Sequence, residues 1–171
     1  MTPALLLDEL CPLVPERRAF ALIDAAREPG LFRALVAGDC TWAPLYRGQT
    51  AVRMAEVAPY LVQLDRQSRL TPWLLEQGWG RGWAVFCNAE TSLDDLRSHF
   101  RRLLMARLPD DRMVYFRFYD PRILRAFLPT CTPDELTILF GPVERYVLEE
   151  DEGNGAVAFQ QRENQLVWTR M

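Results

Sequence analysis

The stretch Phe116-Arg117-Phe118-Tyr119-Asp120-Pro121-Arg122 constrains the fold more than any other part of the sequence. Val114, Phe116 and Phe118 alternate with Tyr115, Arg117 and Tyr119, the period-two pattern of a strand whose successive side chains face opposite ways. Asp120-Pro121 then reads as a helix start. Asp at the N-cap offers a carboxylate to a free backbone N–H, and Pro fits the first helical position, where no N–H is needed. A strand is therefore expected to run directly into a capped helix, with Arg117 and Arg122 flanking the junction. A guanidinium buried there needs an anion, and Asp24 or Asp120 would supply it. Asp24, Arg117, Asp120 and Pro121 are read together as a structural motif, an ion-pair network across strand ends.

Other helix starts are marked in the same way. Thr2-Pro3, Thr71-Pro72 and Thr132-Pro133 each place a capping side chain before Pro, and Thr132 with Glu135 has capping-box spacing. Gly78 and Gly141 fit helix stops. The spacing predicts helices over 3–10, 30–37, 72–77, 121–128 and 133–140. The longest is expected over 92–107, where Leu93, Leu96, Phe100, Leu103 and Leu104 share one face. Asp94 and Asp95 begin it and Arg101, Arg102 and Arg107 end it, as the helix dipole favours.

Strands are expected over 19–24, 82–88 and 113–119, and within 52–64. The first two are almost wholly apolar, as inner strands covered on both faces are. Helices between successive strands predict an α/β fold with a mixed, partly parallel sheet flanked by helices. The last thirty or so residues differ. Strands over 143–148, 156–161 and 165–170, joined by Gly153-Asn154-Gly155 and Arg162-Glu163-Asn164, predict a C-terminal antiparallel β-meander. The expected division is a core over 1–142 and a meander over 143–171 packed on the same domain, with the core folding without it.

Composition narrows the function. A chain of 171 residues, 49% hydrophobic and 25% charged, suffices for one domain with a real core. No apolar run approaches the ~20 residues that span a bilayer, so no membrane partner is expected. The start, Met1 to Glu9, is short and acidic, unlike a signal peptide, and implies a cytoplasmic protein. Cys11, Cys40, Cys87 and Cys131 form no C-x-x-C motif, and Cys87 reads as a small buried hydrophobe. The net charge of −3 argues against nucleic acid.

Catalytic signatures are missing. His99 is the only histidine, placed mid-helix at the core boundary, so no histidine cluster holds a metal. There is no nucleophile elbow, phosphate loop or dinucleotide fingerprint. Trp79-Gly80-Arg81-Gly82-Trp83 precedes a strand and reads as a tight turn rather than a phosphate cradle. Asp24, Asp65 and Asp120 are the acids a catalyst would use, yet capping and turn roles explain each. No catalytic residue, metal or cofactor is expected. The abundance of Trp, Tyr and Arg instead suits protein interfaces, with Tyr119, Arg122, Tyr146 and Trp168 as the expected partner-binding residues.

A series of phrases, in order, resembles the adaptor chaperones of bacterial type VI secretion, often called Tap or TEC proteins. They are Phe20-Ala21-Leu22-Ile23-Asp24-Ala25-Ala26, Trp42-Ala43-Pro44-Leu45-Tyr46-Arg47-Gly48, Ala58-Pro59-Tyr60-Leu61-Val62, Trp83-Ala84-Val85-Phe86, Ser92-Leu93-Asp94-Asp95-Leu96, the Phe116 to Arg122 stretch, and Phe140-Gly141-Pro142-Val143. The likeness covers about 19–143. It implies a non-enzymatic adaptor that binds one cognate toxin effector and helps load it onto the VgrG spike. Many members of that group continue into a further region thought to hold cargo. Here the meander is the material beyond the likeness, so either it is the cargo surface or the chain is a minimal member. The alternatives are a small hydrolase or nucleotide-binding enzyme using strand-end carboxylates and arginines, and a structural subunit of a larger assembly.

Overall fold

The computed structural model describes residues 3–11, 17–108, 110–150 and 153–171. Seven strands form one sheet in the order β2-β3-β1-β4-β7-β8-β9. They are β1 (Arg18–Asp24), β2 (Trp42–Pro44), β3 (Pro59–Gln63), β4 (Ala84–Ala89), β7 (Val143–Glu149), β8 (Ala156–Arg162) and β9 (Gln165–Arg170). β5 (Met105–Arg107) and β6 (Met113–Tyr115) pair as a separate ribbon. The helices are α1 (Pro3–Leu10), α2 (Leu31–Ala37), α3 (Gly48–Arg53), α4 (Leu70–Gly78), α5 (Leu93–Leu103), α6 (Pro121–Phe127) and α7 (Pro133–Phe140). Thr2, the expected cap of α1, lies outside the described residues.

Every pairing in the sheet is antiparallel, which overturns the expected partly parallel arrangement, though the mixture of helices and strands stands. The registers explain the error. β3 and β4 run the same way and are joined through α4, as a parallel crossover would be. They are not neighbours, because β1 lies between them, opposed to both, with Ile23 opposite Tyr60 on one side and Ala84 on the other. The α2–α3 excursion leaves β1 and returns to β3 at the same sheet end, where Asp24 faces Pro59. The α5–α7 excursion likewise leaves β4 and returns to β7 where Ala89 faces Val143. Helices inserted in oversized hairpins read in sequence like crossovers.

Both sheet faces are covered, which is why the inner strands are apolar throughout. Phe20, Leu22, Leu61, Val85, Cys87, Tyr146, Leu148, Val157 and Phe159 meet Leu96, Phe100, Leu103, Leu124, Leu136 and Phe140 from α5, α6 and α7. The alternate residues Ala21, Ile23, Tyr60, Val62, Phe86, Val147 and Ala158 meet Leu6 and Leu10 of α1, Leu31 and Leu35 of α2, and Leu74 and Leu75 of α4. At about 1.5–3 kcal/mol per buried large apolar side chain, these two layers dominate the fold's stability. β7 lies between β4 and β8, so the meander supplies three strands of the common sheet and residues to both layers. At the opposite sheet end, buried Asn88 accepts from Arg145, which also bonds Glu9 of α1.

Three local expectations need correction. α5 stops at Leu103, because 105–107 pair with 113–115 as β5 and β6. Leu104, just past the helix, is still buried in the core, and Met105 and Arg107 are exposed. The strand expected over 113–119 pairs only to Tyr115. Phe116 donates one more bond to the Leu104 carbonyl, and the chain then turns, with the Asp120 N–H bonding the Arg117 carbonyl. α4 begins at Leu70 rather than Pro72. Ser68 Oγ accepts the Leu70 N–H, and Asp39 accepts from Ser68 Oγ, while the Thr71 hydroxyl is buried and accepts the Asp65 N–H.

Among the described residues, no helix is long and apolar enough to cross a membrane. His99 is buried rather than at the boundary. Burial holds its pKa below the usual value, and its Nε2 lies 3.2 Å from the Leu139 carbonyl.

Candidate functional site

The antiparallel order brings the end of β1, the starts of β3 and β4, the end of β7 and the start of β8 to one sheet end. Three acidic residues are buried there: Asp24 closes β1, Asp120 begins α6 and Glu149 closes β7. Charge in that position persists only where donors surround it, and each carboxylate is surrounded.

Asp24 Oδ1 accepts the Ala26 N–H at 3.1 Å, capping a short turn of 3-10 helix. Its Oδ2 accepts from Arg117 Nη2 at 2.6 Å. The pair is lopsided: the Asp24 side chain is 2% exposed and that of Arg117 43%. The Arg117 guanidinium also lies 6.0 Å from the centre of the Tyr119 ring. Its bond to Asp24 raises its pKa further above the ordinary arginine value.

Asp120 does two things at once. Its Oδ1 accepts the Arg122 N–H at 3.0 Å, which caps α6, and Pro121 sits buried in the first turn as that cap requires. Oδ1 and Oδ2 then accept from Arg122 Nε at 2.9 Å and Nη2 at 2.6 Å, a bidentate fork. Burial pushes the Asp120 carboxyl up. The bonds from Arg122 and the nearby charge of Arg27 outweigh it and hold the carboxyl below its ordinary value. The Arg122 side chain is 53% exposed, so its outer edge faces solvent.

Glu149 is held by the turn between α4 and β4. Its Oε2 accepts the Gly80 N–H at 2.8 Å and its Oε1 the Gly82 N–H at 2.6 Å. Gly80 and Gly82 have φ of 81° and 70°, a region glycine enters without cost, and so turn both N–H groups onto one carboxylate. Arg125 donates to the Glu149 carbonyl. Burial nevertheless leaves the carboxyl pKa above its ordinary value. Arg27, Gly80, Arg81, Gly82, Arg122, Arg125, Glu149 and Glu150 enclose a cavity of about 230 Å3.

Asp24, Arg117, Tyr119, Asp120, Pro121 and Arg122 are thus brought together, and two expected partner-binding residues are not. Tyr146 is enclosed in the core, stacked edge-on against Phe140, and its hydroxyl donates to the Leu139 carbonyl at 2.7 Å. A side chain so placed has no surface to offer, which corrects its expected role. Trp168 is 60% exposed on β9, with three strands between it and β1. Tyr119 is itself buried and packs against Tyr115, which in turn meets Tyr46.

Sequence reasoning missed Glu149, Arg27 and Arg125. The paired glycines of Trp79-Gly80-Arg81-Gly82-Trp83 were the available signal, since glycines in such turns present successive N–H groups to an anion. The acceptor lies 67 residues from Gly82, where spacing says nothing.

No curated protein and no solved structure matches the chain. A family model does match over residues 19–137, which contain β1 except its first residue Arg18, and the whole α6 junction. The chain therefore belongs to the family described as Domain of unknown function (DUF4123), a domain family known to occur in type VI secretion effector adaptors.

Proposed function

We propose that the protein is a cytoplasmic adaptor that binds a cognate type VI toxin effector and helps load it onto the VgrG spike, without catalysing a reaction. The observation that carries this reading is the family match across 19–137. The geometry supports it at the α6 junction. Asp24 and Asp120 fix Arg117 and Arg122 from below and leave their outer edges to solvent. An arginine already held in place loses little freedom on binding, and arginine is a common interface anchor. The same bonds weigh against hydrolysis at the strand ends, because the Asp24 and Asp120 oxygens are engaged by Arg117, Arg122 and backbone N–H groups.

The test is co-purification. The tagged chain is co-expressed with a VgrG and a type VI toxin from the same genome. Retention of both partners through gel filtration is the expected result. Loss of both, from a chain that melts cooperatively, would sink the adaptor reading.

A further inference from the structure

The cavity beneath Arg122 has more positive charge than its own walls neutralise. Arg122 is paired with Asp120, Glu150 with Arg170, and Glu149 with the two glycine N–H groups. Arg125 donates to the Glu149 carbonyl. Arg27 and Arg81 remain. Neither makes an ion pair among the described residues; Arg81 lies over Trp83, its guanidinium carbon 5.7 Å from the ring centre. Arg27 Nε is shut away from solvent and donates to nothing among the described residues. A buried donor left unmet is costly, and such groups need a reason.

Gly82 shows where two guanidinium groups converge: Arg27, which makes no ion pair among the described residues, and Arg122, whose Nε is already bonded to Asp120. A methyl group built on it would stand 3.5 Å from Arg27 Nη2, 3.6 Å from Arg122 Nε and 3.8 Å from Glu149 Oε1. Two guanidinium groups from different elements therefore face one point, kept open by the missing side chain. We propose that this point is a carboxylate-binding subsite, which takes an Asp or Glu side chain presented by a protein partner. A carboxylate oxygen is a charge-assisted acceptor for the Arg27 Nη2 that faces this point, with the Arg122 charge beside it. With Glu149 and Glu150 in the walls, a singly charged group is tolerated better than a doubly charged phosphate. At about 230 Å3 the cavity holds one side chain and its waters, less than the ~300–1,000 Å3 of ordinary small-molecule sites. The subsite deepens the adaptor reading, since it names the chemistry of the partner segment that docks there.

The experiment titrates the isotopically labelled full chain with a short capped peptide carrying one Glu, with the same peptide carrying Gln, and with inorganic phosphate. The arginine Nε–H resonances are followed by NMR. The expected result is a saturable shift of the Arg27 and Arg122 signals with the Glu peptide alone. Arg27→Gln is expected to weaken it about tenfold, the loss of one charge-assisted bond. If Arg27→Gln lowers the melting temperature, Arg81→Gln serves as the second variant, with weaker binding expected again. Equal responses to the Glu and Gln peptides, a preference for phosphate, or Glu binding indifferent to the folded variant overturns the subsite. None of these outcomes bears on co-purification with VgrG and toxin, so failure of the subsite and failure of the adaptor reading are told apart.

Discussion

Arg117 reaches back 93 residues to Asp24 and bonds it at 2.6 Å, with the acid buried and the arginine half in water. That asymmetry fixes what each substitution costs. Arg117→Ala leaves Asp24 enclosed with one backbone N–H as partner, so the penalty is that of a buried acceptor losing a donor, about 1–3 kcal/mol. It stays below the roughly 3–5 kcal/mol of a fully buried pair, because water can enter where Arg117 stood. The variant is expected to fold with a lowered urea midpoint, and adding Asp24→Asn is expected to restore part of the loss. A wild-type midpoint for Arg117→Ala would show that the bond contributes nothing.

Arg122 and Asp120 divide differently. Arg122→Ala removes a half-exposed fork while Asp120 keeps its bond to the backbone N–H of residue 122. Exposed pairs contribute about 0–1 kcal/mol, so melting is expected to change little while retention of VgrG or toxin falls. Asp120→Ala removes the fork and the α6 cap together, and a cap alone is worth about 0.5–2 kcal/mol. The larger stability loss is expected there. The reverse ranking in chemical denaturation would mean that the cap is not what holds α6.

His99 sits where Gly141 leaves it room. A methyl group at residue 141 would lie 2.4 Å from the imidazole Cε1, and the Gly141 φ of 47° is strained for any other residue. Gly141→Ala is expected to destabilise by about 1–3 kcal/mol. The histidine also has a pH signature. Its folded pKa lies below the ordinary 6.5, so the unfolded chain binds its proton first as pH falls. Stability from neutral His99 is present above about pH 6.5 and is lost as pH drops towards the folded value. His99→Gln is expected to flatten the dependence of stability on pH just below 6.5, as measured by denaturation at a series of pH values. An unchanged slope would place the titrating group elsewhere.

A chain ending at Pro142 is expected not to fold. The meander was legible strand by strand, because Gly153-Asn154-Gly155 and the alternation over 156–161 are local signals. Its place in the sheet was not, because β7 pairs with β4 more than fifty residues earlier, Phe86 facing Val147. Seen alone, 143–171 resembled an appendage that the core could lose. Its removal strips one edge of β4 and takes Tyr146, Val147, Leu148, Val157 and Phe159 from the two core layers. The same limit hid the antiparallel order and the Glu149 turn, while the Asp120 cap and the α7 capping box, set within four residues, were readable. Circular dichroism of the truncated chain decides; a cooperative native-like melt would show that 1–142 is an autonomous core.

Glu149→Gln tests the turn that closes the arginine cavity. The carboxylate accepts two N–H bonds, at 2.6 and 2.8 Å, and an amide has one oxygen to offer. One glycine N–H is left facing an NH2 group, a loss of about 1–3 kcal/mol. Relief from burying a charge returns part of it, since burial already holds this carboxyl above its ordinary pKa. The net expectation is about 1–2 kcal/mol of destabilisation near neutral pH. The pH dependence runs opposite to that of His99. A carboxyl with a raised folded pKa binds its proton in the folded chain first, so its contribution is full below about pH 4.5 and is lost as pH rises through the folded value. Glu149→Gln is therefore expected to be most destabilised relative to wild type at low pH, where wild type holds a protonated Glu149, and least above the folded pKa. A stability difference that grows steadily with pH would mean that Glu149 is held as a charged partner of Arg122 and Arg125, with burial the lesser effect.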